Sequence, residues 1–243
     1  MKVVEIKAKS ILNKSSIGDY CINVYVGCQH ACKYCYASYY TERIYEIKEP
    51  WGSFVLIKVN APQLLVKEIV KKKKGVVYLS SLSDPYQPIE AKYKLTRKIL
   101  EVLLRYKWPV IIQTKSTLLL RDLDLLKRFD EIEVGFTLIT LDEKKRKEFE
   151  PGASPVEARI EALKRLKKEG IKTFAFLGPI IPFTEFSEVE KLIEKLSFVD
   201  KIYIDKLRYK PGLENRLPLQ WFNANNYYMK LKKKFKNKAT FVY

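Results

Sequence analysis

The sequence has few cysteines and lacks them entirely beyond residue 35. The four are Cys21, Cys28, Cys32 and Cys35, so residues 36–243 carry no thiol. Cysteines confined to one short stretch argue against a secreted scaffold that is cross-linked by disulfides. Histidine is rarer still, because His30 is the single one and it lies inside the same stretch.

Long apolar runs and low-complexity tracts are also missing. No run reaches the roughly 18 residues that span a membrane, and residues 1–13 lack the apolar core of a signal peptide. We therefore expect a cytoplasmic protein with no membrane partner. At 243 residues, 47% of them hydrophobic, the chain suits one domain with a sizeable core. We expect that domain over residues 1–243, with a lead-in over about residues 1–18 and a basic C-terminal helix over about residues 219–243.

Acidic residues are the scarcer charged class. The chain has 46 lysines and arginines against 28 aspartates and glutamates, a net charge of +18. A field of that sign attracts polyanions. A heat-adapted surface rich in Lys and Glu is the alternative, although such adaptation enriches both signs and lysine outnumbers glutamate here. The excess predicts a nucleic acid as partner.

Three of the cysteines, Cys28, Cys32 and Cys35, form a C-x3-C-x2-C pattern, called the cysteine motif below. Structural zinc sites need four ligands, usually in two separated pairs. A 4Fe–4S cluster normally takes four thiolates, so three would leave one iron open to a substrate or cofactor. The amino and carboxylate groups of S-adenosylmethionine (SAM) suit an open iron.

Two other interpretations of the cysteine motif remain. Its three thiols and His30 would complete a zinc site, or the thiols are reduced and bind no metal. Cys21 lies outside the spacing, on a predicted strand, and we interpret it as a buried strand residue because cysteine is among the most often buried residue types.

With Tyr34 before its last cysteine, the motif reads C-x3-C-x-aromatic-C and resembles the signature of the radical SAM superfamily. The longer run 22–37, with Gly27 and Tyr36-Ala37, resembles its spore photoproduct lyase-like branch. The resemblance implies that the cysteine motif holds a 4Fe–4S cluster. The cluster would reduce SAM to methionine and a 5′-deoxyadenosyl radical, which takes hydrogen from a substrate. It also implies an electron donor such as flavodoxin or ferredoxin; we expect a monomer.

Strand-like and helix-like patterns alternate six times along the chain, which predicts parallel strands joined by right-handed crossovers. Strands are expected at 19–26, 75–82, 109–114, 131–139, 171–177 and 201–205, with an extra strand at 54–59. Helices are expected at 37–45, 61–73, 95–106, 119–129, 155–170, 189–196 and 219–235. Six units do not easily close an eight-stranded barrel, and a doubly wound sheet would carry a Gly-x-Gly-x-x-Gly turn that is missing. The resemblance implies an α/β fold, the radical SAM partial TIM barrel, (β/α)6, with a C-terminal helix.

Polar residues follow several predicted strands, at the end where parallel α/β proteins place their chemistry. The run 80–90, Ser-Ser-Leu-Ser-Asp-Pro-Tyr-Gln-Pro-Ile-Glu, resembles the spore photoproduct lyase-like pattern. The resemblance implies that Ser80 or Ser81, with Asp84, holds the SAM amino group. A proline turn capped by Asp84 is the alternative.

Four further residues acquire roles from the resemblance. It implies that Lys115 pairs with the SAM carboxylate, that Thr137 contacts the SAM ribose, and that Tyr34 lies at the cofactor. Tyr34 and Tyr36 match tyrosines of the hydrogen relay in spore photoproduct lyase, so both are candidate catalytic residues. That enzyme also uses a cysteine near its second strand, and this chain has none there. The substrate therefore does not transfer with the resemblance.

Three functions remain open. The first is radical SAM chemistry on a nucleic acid, and the second is the same chemistry on a protein or small molecule. The third is a non-catalytic nucleic-acid-binding protein with a structural iron–sulfur or zinc centre. For the first, we expect the lysines of the C-terminal helix to form a phosphate-contacting edge, with a solvated face as the alternative. These lysines are Lys230, Lys232, Lys233, Lys234, Lys236 and Lys238.

Overall fold

The computed structural model describes residues 1–182 and 184–242. Phe183 and Tyr243 lie outside the described residues, so the segment predicted at 219–243 is described up to Val242. The strands are β1 (Lys2–Ile6), β2 (Asn13–Lys14), β3 (Tyr20–Ile22), β4 (Tyr25–Val26), β5 (Phe54–Lys58), β6 (Val77–Leu79), β7 (Val110–Thr114), β8 (Ile132–Thr137), β9 (Lys172–Ile180), β10 (Lys201–Lys206) and β11 (Thr240–Phe241). The helices are α1 (Ala37–Tyr45), α2 (Ala61–Ile69), α3 (Glu90–Tyr93), α4 (Leu95–Arg105), α5 (Leu123–Leu126), α6 (Glu143–Phe149), α7 (Val156–Lys168), α8 (Phe186–Lys195) and α9 (Asn225–Phe235).

The main sheet follows the chain order. In the described part of the chain it runs β11-β10-β9-β8-β7-β6-β3-β2. Every neighbouring pair from β3 through β6 to β10 is parallel, and helices connect the successive strands. The predicted (β/α)6 partial barrel is confirmed. β11 extends the sheet in parallel beyond β10, and β2 pairs antiparallel at the other edge.

The predicted first strand, residues 19–26, is wrong as a single element. Its first half is β3, which pairs with β6, whereas its second half is β4, which pairs antiparallel with β5. β5 also pairs with β1, so the predicted lead-in contains a strand of a second sheet, ordered β1-β5-β4. Apolar residues continue through the junction, so periodicity alone does not reveal the change of sheet. The switch carries the chain from the barrel into the cysteine motif.

Two helical predictions also need correction. The helix predicted at 119–129 is a 3-10 helix (Thr117–Asp122) followed by the single turn of α5, and the last helix starts at Asn225 after a 3-10 helix (Leu219–Asn223). The helix α6 was not predicted. It follows Asp142, whose carboxylate accepts a hydrogen bond from the Lys144 amide at 2.7 Å, an N-cap arrangement.

The last helix packs on the barrel through one apolar side. Tyr228, Leu231 and Phe235 are buried, whereas Trp221 precedes the helix and is half-buried. The Tyr228 hydroxyl donates to the Ile180 carbonyl at 2.8 Å and accepts from the Leu207 amide at 2.9 Å. This fixes α9 against the carboxyl ends of β9 and β10. None of the described helices combines the length and the apolar character needed to cross a bilayer.

Replacing Phe235 by alanine should destabilise the metal-free protein by about 3–5 kcal/mol, because it removes a fully buried aromatic side chain. Met229 lies on the same helix with 62% of its surface exposed, so Met229→Ala should change stability by less than about 0.5 kcal/mol. Chemical denaturation followed by circular dichroism measures both. Equal effects of the two variants would show that α9 does not pack as described.

Candidate active site

A cavity of about 700 Å³ lies at the carboxyl ends of the barrel strands. Its wall includes residues that end or follow β6, β7, β8, β9 and β10, together with the cysteine motif. All ten residues predicted from the sequence as site residues line it. They are Cys28, Cys32, Tyr34, Cys35, Tyr36, Ser80, Ser81, Asp84, Lys115 and Thr137.

The cysteine motif lies in the loop between β4 and α1, and its thiols are free. Cys28 and Cys32 are buried and Cys35 is half-buried. Burial, followed by the nearby charges of Asp84 and Cys35, raises the pKa of Cys28 to about 12. Burial also raises the pKa of Cys32 and of Cys35. Thiols of this kind are poor nucleophiles in the absence of a metal.

The ring of His30 is hydrogen-bonded at Nδ1, which lies 2.8 Å from the Gly152 carbonyl oxygen. Its Nε2 lies 3.3 Å from Oδ2 of Asp84 but has no hydrogen-bond partner among the described residues. Thiolates that share one zinc lie within about 4 Å of one another. Across residues 1–182 and 184–242, no three Cys, His, Asp or Glu side chains converge in that way.

Asp84 ties two strand ends together at the back of the site. Its Oδ1 accepts from the Thr114 hydroxyl at 2.6 Å and from the Tyr86 amide at 2.9 Å, and its Oδ2 accepts from the Lys115 amide at 2.8 Å. Burial acts to raise the pKa of Asp84, but His30, Lys115 and the Thr114 hydroxyl together lower it to about 2. The carboxylate is thus charged and caps the proline turn that the sequence offered as an alternative.

The two serines of the predicted amino-group site are engaged with β3. The Ser80 hydroxyl donates to the Ile22 carbonyl at 2.8 Å. The Ser81 hydroxyl lies 3.2 Å from both the side-chain Nδ2 of Asn23 and Cys21 Sγ. Cys21 is 4% exposed, which confirms its interpretation as a buried strand residue. The contacts of these serines with SAM stay a prediction.

Lys115 is a half-buried cation in the wall of the cavity. Its Nζ lies 5.9 Å from the centre of the Tyr34 ring. Burial acts to lower the pKa of Lys115, but the negative groups of Cys32 and Glu150 raise it above its usual value. The ammonium group therefore stays charged. Thr137 faces the same cavity, and its hydroxyl accepts from the Gln113 side chain at 3.0 Å.

Two buried residues next to the site escaped the sequence analysis. Glu150 accepts a hydrogen bond from the Tyr34 hydroxyl. Arg159 Nη1 lies 2.8 Å from Oε2 of Glu150 and donates to the Thr137 carbonyl at 2.6 Å. Both are fully buried. Neither residue follows a strand, so the search for polar residues at strand ends does not find them. In the sequence they are only two charged residues near the ends of helices.

The segment after β10 contributes basic residues to the mouth of the cavity. Lys206, Arg208 and Lys210 line it, and Lys210 Nζ lies 5.2 Å from the centre of the Tyr40 ring. The Arg208 guanidinium also pairs with Asp205 at 2.9 Å. This cationic mouth with its aromatic ring was not predicted.

The C-terminal lysines lie elsewhere. Two of them, Lys234 and Lys238, form ion pairs with Glu190 of α8 at 3.1 and 3.4 Å. These pairs favour the solvated-face interpretation for this part of the predicted phosphate-contacting edge.

Two relatives share sequence with the chain. An uncharacterized protein of Methanocaldococcus jannaschii is 42% identical over 217 residues, which cover 88% of this chain and 81% of that protein. The spore photoproduct lyase of Clostridium acetobutylicum is 24% identical over 198 residues, 79% of this chain and 55% of that enzyme. The chain thus aligns with little more than half of the lyase.

Solved structures extend the comparison to the fold. Spore photoproduct lyase complexed with dinucleoside spore photoproduct superposes with a TM-score of 0.72 at 17% identity, covering 99% of this chain and 82% of the other. A double mutant of the lyase was also solved with bound AdoMet and the dinucleoside. At this identity the likeness shows the fold alone. Residues 22–196 match the sequence model of the Radical SAM superfamily. The chain therefore belongs to the radical SAM superfamily of enzymes, which use a 4Fe–4S cluster and SAM.

Proposed function

We propose that Cys28, Cys32 and Cys35 hold the 4Fe–4S cluster and that the enzyme abstracts hydrogen from a nucleic acid. When bound, the cluster and SAM supply the 5′-deoxyadenosyl radical that removes the hydrogen atom. The donor set fits the cluster, because the three free thiols of the cysteine motif face one cavity. The electron would come from a donor such as flavodoxin or ferredoxin.

The same wall offers charges that complement SAM. Lys115 is the cation for the carboxylate, and its backbone is fixed by Asp84. Asp84 is the negative charge nearest the predicted amino-group site. Its oxygens already accept protein hydrogen bonds, so it would act on the ammonium by charge while Ser80 or Ser81 makes the direct contact. Thr137 would meet the ribose from the end of β8.

The mouth of the cavity carries the nucleic-acid part of the proposal. Arg208 and Lys210 line the cavity with Tyr36 and Tyr40, and Lys210 lies over the Tyr40 ring. Basic groups with aromatic rings are the usual means of holding single-stranded nucleic acid, because the cations bind phosphates and the rings stack on bases. The lyase that shares this fold has been solved with a dinucleoside, a ligand of this chemical kind.

The two candidate catalytic tyrosines differ in their exposure to solvent. The Tyr34 hydroxyl is buried and donates to Glu150. Tyr36 is 41% exposed, lines the cavity and donates to the Ser81 carbonyl at 2.6 Å. Tyr36 is thus placed to meet a substrate, and Tyr34 to support the cofactor side.

Cys32→Ala should abolish cluster binding, whereas Cys21→Ala should retain it, because Cys21 is buried on β3 and bonded to Ser81. Iron and acid-labile sulfide analysis after anaerobic reconstitution distinguishes the two, and the parent cluster should be oxygen-sensitive. Equal loss of iron in both variants would contradict the ligand assignment. Stoichiometric zinc without sulfide in folded parent protein would restore the zinc interpretation.

Lys115→Met should weaken SAM binding to the reconstituted protein by about ten- to a hundredfold. One hydrogen bond between charged groups contributes about 1.5–3 kcal/mol, and methionine keeps the volume of the side chain. Isothermal titration calorimetry measures the affinity. Lys147→Met, at an exposed position on α6, is the control for the loss of one positive charge. If both variants bind SAM as the parent does, Lys115 is not a ligand.

Replacing Arg208 and Lys210 together by glutamine should weaken binding of a single-stranded oligonucleotide and flatten its salt dependence. Each lost phosphate contact lowers the slope of log affinity against log salt by about 0.7 on single strands. Fluorescence anisotropy over a KCl series measures the slope. The matched control replaces Lys234 and Lys238, which pair with Glu190, by glutamine. Its slope of log affinity against log salt should stay near that of the parent.

Two other outcomes of the oligonucleotide experiment would contradict the proposal. If the control pair lowers the slope and the mouth pair does not, the nucleic acid binds at the C-terminal lysines. If neither the parent nor the variants bind oligonucleotides while SAM cleavage persists, the substrate is a protein or a small molecule.

A further inference from the structure

Residues 27–36, which carry the cysteine motif between β4 and α1, are called the cysteine loop below. The segment 148–153, at the end of α6 and beyond it, makes backbone hydrogen bonds to this loop, which lies more than a hundred residues earlier in the chain. The Lys33 amide donates to the Phe149 carbonyl at 2.9 Å, and the Gly152 amide donates to the His30 carbonyl at 3.1 Å. Gly152 is needed for this approach, since a Cβ there would lie 2.3 Å from the Gln29 carbonyl oxygen. The two segments therefore share backbone hydrogen bonds like neighbouring strands, although neither is a strand.

A buried ion pair extends this connection into the barrel. Glu150 accepts from the Tyr34 hydroxyl in the cysteine loop. Arg159 of α7 lies against Glu150 and donates to the Thr137 carbonyl at the end of β8. The outer members of this chain of contacts, Tyr34 and Thr137, both line the cavity. The ion pair itself joins them from behind.

Stability alone does not explain the pair. Burying two charges is costly, and well-packed apolar residues of similar volume are often as stable or more so. Arg159 Nε and Nη2 and Glu150 Oε2 have no hydrogen-bond partner among the described residues. The hydrogen bonds that the pair does make, from Tyr34 to Glu150 and from Arg159 to the Thr137 carbonyl, have a defined geometry. A charged pair that is retained under those conditions is suited to fixing the positions of Tyr34 and Thr137.

We propose that Glu150 is a positioning residue for the iron–sulfur centre. Held by Arg159, it fixes Tyr34 and with it the loop that carries Cys32 and Cys35, and it places a negative charge against Tyr34, which lies between those two cysteines in the chain. This inference rests on the proposed assignment of the cluster to the cysteine motif. A negative charge near the cluster opposes the addition of an electron, so Glu150 keeps the reduction potential low.

The charge state of Glu150 agrees with this role. Burial acts to raise the pKa of Glu150, but the charges of Arg159 and Lys115 and the Tyr34 hydrogen bond lower it below its usual value. The carboxylate is therefore ionised.

Tyr34→Phe separates positioning from folding, because it removes the hydrogen bond and leaves the ion pair intact. In the metal-free protein, amide hydrogen exchange at Lys33 and Gly152 should accelerate by about ten- to a hundredfold, the effect of losing a hydrogen bond to a charged group. Exchange in β7 and β8 should stay as in the parent. If Lys33 and Gly152 exchange at parental rates, the tyrosine does not anchor the loop.

The double variant Glu150→Gln with Arg159→Met tests the charge. Glutamine still accepts from Tyr34, and no buried arginine is left unpaired. The double variant removes one charge of each sign, but Glu150 contacts Tyr34 of the cysteine loop directly, whereas Arg159 contacts the other oxygen of Glu150. The loss of the carboxylate should therefore outweigh the loss of the cation. In the reconstituted protein, the midpoint potential from an EPR-monitored redox titration should shift to less negative values. Glu161→Gln removes a carboxylate from an exposed pair on the same α7 helix and should leave the potential at the parental value. A parental potential in the double variant would overturn the electrostatic role.

Failure of the cluster assignment has a different signature. If the parent itself takes up no iron and sulfide, the proposed function fails, and the inference about the iron–sulfur centre fails with it. If the parent holds a cluster and the double variant keeps its potential while Tyr34→Phe keeps its exchange rates, only the positioning role is overturned.

Discussion

The cysteine loop must be held in place from outside, because it has little regular structure of its own. Its internal hydrogen bonds are short turns, such as that from the Cys35 amide to the Cys32 carbonyl at 3.2 Å. The buried Gln87 side chain accepts from the Gln29 amide at 2.9 Å and donates to the Gly27 carbonyl at 3.1 Å. Since a set of metal ligands tolerates little displacement, these distant anchors determine whether the loop can work.

Two buried carboxylates provide the charged part of that support, and they act on different neighbours. Asp84 joins the turn after β6 to the end of β7 and faces His30. Glu150 joins the segment after α6 to Tyr34. Lys115 lies near both carboxylates, and Cys32, Glu150 and Asp84 together raise its pKa. The site thus combines buried carboxylates with one half-buried cation, an arrangement that suits a cofactor with both an amino and a carboxylate group.

The cavity wall carries charges of both signs. Asp84 lines it together with the cysteine motif, and the segment after β10 adds Lys206, Arg208 and Lys210. The net charge of +18 gives no hint of this distribution, because it sums over the whole surface. Ion pairs such as those of Lys234 and Lys238 with Glu190 offset part of the excess far from the site. What matters for a polyanionic substrate is the local field at the mouth.

Much of the fold and of the cavity wall could be predicted from the sequence. Buried parallel strands leave apolar runs and helices leave a 3.6-residue period, so the six-unit order and the strand-end residues Ser80, Lys115 and Thr137 are visible in the chain. The cysteine spacing, and its resemblance to a family signature, selected the chemistry. The predictions that failed concern single elements. The break between β3 and β4 is hidden, because both halves are apolar whichever sheet they join.

The sequence by itself determined the order of strands and helices and the three thiols of the motif, since both depend on residues close together in the chain. Only the tertiary structure decided what surrounds them. Glu150 lies 116 positions from Tyr34 along the chain, and nothing local marks either as the partner of the other. The same holds for Arg159 with Thr137, and for the basic mouth beside Tyr40. Hydrogen bonds and charges act through space, so contacts of this kind exist only once the barrel has brought its strand ends together.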